Sequence, residues 1–424
     1  MIFFVRIALN EYYNQPKSLG SDLSMVRVFI TGIGIISSIG KNCSETKMSI
    51  IEGRGGQTTT KYIDSALSKS FPLCEVQYSN DELAMMAEVS RDKFITRCSL
   101  LAAVAATEAA NSANIRKNDN IKTGLICGTT VGGMDRSEIF YKDFSKDHST
   151  GNLDDVRCHD CGDTAAKVSE LIGADDFVTT ISTACSSSAN SFITGARLLN
   201  AGVVERVIAG GSDALTYFTV NGFNSLRILD TDPCRPLDAG RKGLNLGEGA
   251  AFAVLETEET MKKTGSKPIC ELKGWHNCAE AYHQTASSPE GNGAYEAMSG
   301  ALKKAGLKAQ DIDYINFHGT GTDNNDASES VAVRRVFGAD APMLSSTKTL
   351  TGHTLGASGA IEAVISVISI KENIVPGHAR FKDPIESTGL MPLAETLRDY
   401  SVRNILSNSF GFGGNNSSLI FSRC

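Results

Sequence analysis

The sequence predicts an α/β protein made of two α/β halves. Three observations carry that expectation. Short β-branched or apolar runs end in glycine, and stretches with apolar residues three and four apart follow them. The third is size: 424 residues with 41% hydrophobic content exceed what one core normally organises. Forty glycines against ten prolines suit many tight strand-to-helix turns, and no Gly/Ser- or Pro-rich linker divides the chain. The halves, residues 25–268 and 269–424, are therefore expected to pack as one body.

Residues 1–24 lack clear periodicity and read as an N-terminal extension outside the fold. The run Met1-Ile2-Phe3-Phe4-Val5-Arg6-Ile7-Ala8-Leu9 imitates a signal segment, but Arg6 breaks it and no small-residue cleavage site follows. Secretion and membrane spanning are not expected. Eleven cysteines, an odd number without scaffold spacing, fit a reducing cytoplasm. A net charge of −7 with no aromatic-interleaved basic stripe argues against nucleic-acid binding, though a local basic patch remains compatible with an acidic partner.

The ordered pattern opens with the strand Met25-Val26-Arg27-Val28-Phe29-Ile30. Thr31-Gly32-Ile33-Gly34-Ile35-Ile36-Ser37, with Glu52 further on, imitates a dinucleotide fingerprint. Ser37 replaces the third glycine, so these glycines read as a tight turn. Cys158-His159-Asp160-Cys161 pairs two thiols, but no second pair completes a four-ligand zinc site. A solvated helix start with Asp160 and Asp163 near its first turn is the reading adopted. No metal site is expected.

The most informative segment follows. The strand Val178-Thr179-Thr180-Ile181 gives way to Ser182-Thr183-Ala184-Cys185-Ser186-Ser187-Ser188 and then to a helix with Ala189, Phe192, Ile193, Ala196, Leu198 and Leu199 on one face, stopped by Gly202. Arg206-Val207-Ile208-Ala209-Gly210-Gly211-Ser212-Asp213 is the next strand of a parallel βαβ unit. Cys185 thus sits at a helix start, where unpaired N–H groups and the helix dipole favour a thiolate. Its pKa is expected below the free value of about 8.5.

Two histidines are set to partner this nucleophile. His318 closes the strand Tyr314-Ile315-Asn316-Phe317 and opens the small turn Gly319-Thr320-Gly321-Thr322. His353 lies in a run of small residues that begins at Lys348 and leads into a helix carrying Ile361, Val364, Ile365, Val367 and Ile368. Both loops can face one cleft at strand carboxyl ends. His148, His276 and His378 read as surface or core, and His283 stays open. Gly411-Phe412-Gly413-Gly414 fits either a hairpin turn or a backbone N–H aimed at an oxyanion.

Together, Thr183-Ala184-Cys185-Ser186-Ser187-Ser188, the His318–Thr322 turn, the run from Lys348 through Gly352-His353 to Gly359, and Gly411–Gly414 resemble the β-ketoacyl-acyl-carrier-protein synthases. These are the ketosynthases of the thiolase superfamily, and the likeness is to the elongating Cys-His-His type. It runs from about Met25 to the C-terminus and includes Arg235-Pro236-Leu237-Asp238 and Gly247-Glu248-Gly249-Ala250, with Leu237 where the family usually has phenylalanine. The resemblance implies a thiolase-like α/β fold of two similar βαβ halves layered α-β-α-β-α, and decarboxylative condensation of a Cys185-bound acyl group with malonyl carrier in fatty-acid or type II polyketide or polyene elongation. Leu237 and Leu244-Asn245-Leu246 tilt this toward a specialised pathway.

The resemblance also implies residue roles. His318 and His353 would act on the malonyl thioester, with Lys348 organising charge around them. Glu362 would pair with Lys348, while Asp326 and Glu329 buttress the histidine loop. The N–H groups of Cys185 and Phe412 would form the oxyanion hole, with the Phe412 ring as a gate. Thr320 and Thr322 would hold the phosphopantetheine arm, Val131 and Phe223 would wall the acyl pocket, and Arg227 would face the carrier. No free cofactor is implied, since acyl carrier protein brings the phosphopantetheine. A homodimer is implied, or a heterodimer with a ketosynthase-like paralogue. Three rivals remain. A coenzyme A thiolase would carry a second cysteine near a Cys-x-Gly motif, a chain-length partner subunit would lack the nucleophile, and a Cys-His-Asp hydrolase using Asp326 would not need the second histidine or the lysine.

Overall fold

The computed structural model describes residues 26–63, 67–116 and 119–424; the extension expected over 1–24 lies outside them. Ten strands follow in chain order: β1 (Val28–Ser37), β2 (Thr123–Gly128), β3 (Phe177–Ile181), β4 (Arg206–Asp213), β5 (Gly249–Thr257), β6 (Cys270–Ala279), β7 (Tyr314–Asn316), β8 (Met343–Ser345), β9 (Asn404–Gly411) and β10 (Asn415–Ser422). Their spatial order is β3-β2-β4-β5-β1-β6-β10-β9-β7-β8. The second half repeats the first, because advancing every label of 3-2-4-5-1 by five gives 8-7-9-10-6. Pairing repeats as well. β2 runs parallel to β3 and β4, as β7 does to β8 and β9, and β5 and β10 are antiparallel to their neighbours. At the seam, β1 meets β6 at Phe29–Glu271 and Ile30–Cys270.

Two helices fill the space between the halves. Ser187–Asn200 packs on β2 and β4, Ser358–Glu372 packs on β5 and β9, and the two touch each other. Every residue from Ser358 to Ile370 is buried, as expected for a helix apolar on nearly all sides. The helices Arg97–Ser112 and Asn292–Ala305 cover the outer faces, on β1 and β5 and on β6 and β10 respectively. The result is five layers, α-β-α-β-α.

One expectation is overturned here. Gly32 and Gly34 do not form a turn, because β1 runs straight through them to Ser37. They are glycines because the alanine-rich helix Arg97–Ser112 presses on the strand. A Cβ on Gly34 would stand 2.1 Å from the Ala105 carbonyl oxygen, and one on Gly32 2.5 Å from that of Ala109. Near Cys158–Cys161 a helix, Gly162–Ile172, does begin, with the Asp160 carboxylate accepting from Gly162 N–H at 2.6 Å. It is less solvated than expected, since Cys158 is buried with its sulfur 3.2 Å from Lys167 Nζ.

Candidate active site

Cys185 is presented by a sharp elbow after β3. Ala184 holds φ 53°, in the left-handed region, and this turns the chain so that Thr183 and Cys185 bridge each other just before the helix Ser187–Asn200. Such a conformation is costly for alanine and persists only where the surroundings enforce it. A polar cluster does so. Ser187 Oγ accepts from Thr183 N–H at 2.9 Å, Ser186 Oγ donates to Asn415 Oδ1 at 2.7 Å, and Asn190 and Asn277 each donate to that same oxygen at 2.8 Å. From the other side Gly411 closes on the elbow, where a Cβ would stand 2.8 Å from Thr183 O and 3.3 Å from Cys185 N. That approach brings the Phe412 backbone beside Cys185. The N–H groups of Phe412 and Cys185 both donate toward the sulfur.

The two histidines arrive from the second half. His318 leaves the end of β7, and its loop is held from behind by two carboxylates. Glu329 accepts from the His318 and Gly319 N–H groups at 2.9 Å, and Asp326 accepts from Thr320 N–H at 3.0 Å, from Gly321 N–H and from Leu237 N–H. His353 follows the short helix Lys348–Thr351, and its Nε2 stands 3.2 Å from Cys185 Sγ. The two imidazoles meet edge to face, 5.5 Å between centroids. Among the described residues, Cys185, His318 and His353 are the one group of three or more potential ligand side chains, their donor atoms lying within 4.8 Å of each other.

Hydrogen bonding sets the tautomer of each ring. His353 Nδ1 accepts from Leu355 N–H at 3.1 Å and lies 3.0 Å from Ser358 Oγ, so the ring proton sits on Nε2, facing the sulfur. Lys348 Nζ donates to Glu362, to the His318 carbonyl at 2.6 Å and toward His318 Nδ1 at 3.3 Å. His318 therefore also carries its proton on Nε2. Burial, reinforced by the Lys348 charge, holds both imidazole pKa values well below the usual 6.5. Two neutral N–H donors face one thiol. A nearby ammonium suits a developing anion better than it suits a divalent cation.

The thiol itself departs from expectation. Burial pushes Cys185 up to about 11, outweighing Lys348 and the Phe412 and Cys185 N–H groups, all of which pull it down. The helix start favours a thiolate in principle, but Cys185 is only 6% exposed, and desolvation of the anion wins. Glu362 is raised by the same cause, and Glu329 is raised to about 7.

A cavity of about 270 Å³ leads from Cys185, His318 and His353 to the surface. Phe223, Arg227, Thr320, Thr322 and Phe412 line it, and Cys185 is its cysteine. The Phe412 ring stacks on Phe223, 6.0 Å between centroids. Val131 does not line this cavity. It belongs to an apolar cluster with Leu215, Val220 and Leu355, against which Phe223 packs. Lys348, Glu362, Asp326 and Glu329 do not line the cavity and are buried. His148 and His283 are exposed, and His378 is buried away from the site, accepting from Ser346 N–H at 3.1 Å. Residues the sequence reading missed include Asn415, Asn190 and Asn277 at the elbow and Leu355 and Ser358 at the tautomer.

Residues 25–261 match the beta-ketoacyl synthase N-terminal domain, and residues 269–382 match the beta-ketoacyl synthase C-terminal domain. The chain belongs to the β-ketoacyl synthase family. Relatives within this family include Nodulation protein E of Rhizobium meliloti (strain 1021), 34% identical over 94% of this chain and 99% of that protein. Another is 3-oxoacyl-[acyl-carrier-protein] synthase 2 of Staphylococcus aureus (strain N315), 34% identical over 94% of this chain and 98% of that one. Among solved structures, the ishigamide ketosynthase/chain length factor superposes with a TM-score of 0.89 at 27% identity, over 95% of this chain and all of that one. A beta-ketoacyl synthase from Burkholderia phymatum STM815 does so at 0.83 and 28%, over 94% of this chain and all of that one. The fold is the thiolase-like fold of this family. No described helix is long and apolar enough to cross a membrane.

Proposed function

We propose that the protein is an elongating β-ketoacyl-[acyl-carrier-protein] synthase that joins a Cys185-bound acyl group to malonyl carrier with loss of CO2. One observation carries the reading: a buried thiol, two neutral imidazoles with Nε2–H directed inward and two backbone N–H donors converge at the end of a single cavity. In the first step the sulfur attacks the acyl thioester. Cys185 gains the acyl group, and its proton leaves on the carrier thiol. A raised Cys185 pKa is compatible with this exchange, because it consumes no net proton.

Malonyl thioester then enters, and breaking its C–C bond releases CO2 and leaves an enolate. The His318 and His353 Nε2–H groups donate to its oxygen, and Lys348, fixed on Glu362, keeps His318 in the donating tautomer. The carbanion attacks the acyl carbonyl, whose oxygen becomes an oxyanion facing the Cys185 and Phe412 N–H groups. Collapse expels the Cys185 thiolate, which regains one proton from solvent. The phosphopantetheine arm stays attached to the carrier, lies along Thr320 and Thr322, and needs no free cofactor beside it. Arg227 faces the carrier at the mouth, Val131 acts on the acyl wall through Phe223, and Phe412 opens by leaving its stack with that ring.

A second chain completes the assembly in this proposal. β3 is an edge strand with Val178 39% exposed. The helix Met134–Phe144 buries none of its residues, and Ile139, Tyr141 and Phe218 stand open beside a groove of about 1790 Å³. Another copy of this chain is the partner proposed, with a ketosynthase-like paralogue as the alternative favoured by the ketosynthase/chain length factor neighbour.

Mass spectrometry tests the reaction. Incubation with acyl carrier should leave an acyl adduct on Cys185, and adding malonyl carrier should discharge it into a product two carbons longer. Extension with coenzyme A thioesters alone, or hydrolysis of the adduct without malonyl carrier, would contradict the proposal.

A further inference from the structure

Asp213, the last residue of β4, is fully buried, has no cationic partner among the described residues and plays no part in the chemistry above. Its carboxylate gathers donors from two loops. From the segment after β2 it accepts the Thr129 hydroxyl, the Thr130 hydroxyl at 2.7 Å, Thr130 N–H at 3.0 Å and Val131 N–H at 3.1 Å. From the turn after His353 it accepts Gly356 N–H at 2.7 Å. The two loops touch, so closely that a Cβ on Gly356 would stand 2.8 Å from Asp213 Oδ2 and 3.0 Å from Thr130 N. No side chain fits there.

Both loops matter to the site. One carries Val131, a member of the apolar cluster against which Phe223 packs. The other carries Leu355, held at φ 53°, whose N–H sets the His353 tautomer and whose side chain joins the same apolar cluster as Val131. We infer that Asp213 is a positioning residue which locks the Leu355–Gly356 turn to the Thr129–Val131 loop, so that the protonated face of His353 and the position of the acyl wall are set together. This rests on the ketosynthase reading for its chemical consequence, but the linkage is a statement about geometry. A neutral amide at 213 would turn an NH2 group toward converging N–H donors, force the turn to move and release His353 Nδ1.

The test is Asp213→Asn beside Gly356→Ala, which keeps the carboxylate but sets a Cβ 2.8 Å from its Oδ2 and 3.0 Å from Thr130 N and so forces the same loops apart. Nitrogen-15 NMR of histidine-labelled protein, with the His353 signals assigned by their loss in His353→Gln, reads the tautomer directly. Wild type should show the Nε2–H form, and both variants a mixture of forms. Malonyl-carrier decarboxylation should fall by about tenfold, a fraction of the loss typical of deleting an oxyanion donor. Acylation of Cys185 should persist with altered chain-length preference. Loss of thermal stability alone, with the tautomer and the ratio of the two partial reactions unchanged, would overturn the inference. Should neither variant fold, Thr130→Val removes a single hydroxyl from the carboxylate and should move both readouts the same way to a smaller extent; no movement counts against the inference. If wild type fails to acylate Cys185, the ketosynthase reading falls while the NMR comparison still decides the linkage.

Discussion

Charge state at single residues governs this site. Because burial and Lys348 keep both imidazoles neutral, malonyl decarboxylation should be flat from about pH 8 down past 6.5, with its acid limb well below that value. An inflection at or above 6.5 in a pH–rate profile would contradict the geometry. The linkage sign is fixed too. Histidines with depressed pKa values contribute stability that is present above their unfolded value and lost as pH falls below it. Alkylation of Cys185 by iodoacetamide should keep accelerating above pH 9, with an apparent pKa of about 11, and Lys348→Met should raise that value further by removing a cation that lowers it. That Cys185, His318 and His353 are candidates to meet in one place was legible in the sequence, because each lies at a strand end, a helix start or a small-residue turn. The Cys185 pKa was not. A helix start is local information, whereas burial of the thiol is a property of the folded chain, in which His353 and Gly411 close on Cys185 from more than 160 residues away.

Elements meet here with little space between backbones, and that closeness makes their glycines sensitive. Gly34→Val should press the β-branched side chain into the Ala105 carbonyl and cost about 3 kcal/mol or more, read as a lower urea midpoint. Asn415→Ala should loosen the Cys185 elbow by leaving the Asn190 and Asn277 amides without their shared acceptor. A loss of about 1–3 kcal/mol in stability is expected, with slower acylation. The same features mark the limit of reading elements from a linear pattern. Strands and helices were visible through periodicity and glycine stops, as with the helix ending before Gly202. Gly32 and Gly34 were misread as a turn because the helix that makes them necessary lies some 70 residues onward. Asp213 gave no signal, since its partners come from two segments, Thr129–Val131 and Gly356, far from it along the chain.

At the scale of the whole molecule, a repeated five-strand pattern brings Cys185 from one half and both imidazoles from the other, so neither half holds the whole candidate site. The repeat was legible only through family resemblance, because two strand orders can match without any matching sequence pattern. The protein carries a net charge of −7, yet Arg227 and Lys242 line the mouth of the cavity. Arg227→Glu should therefore raise KM for carrier substrates while leaving kcat within about twofold, with an effect that shrinks at high salt. Co-dependence of the two halves is tested most directly by measuring CO2 release from labelled malonyl carrier in His318→Ala and His353→Ala after each has been acylated. Both variants should carry the acyl group on Cys185 and release little CO2. Wild-type CO2 release by either acylated variant would contradict the account.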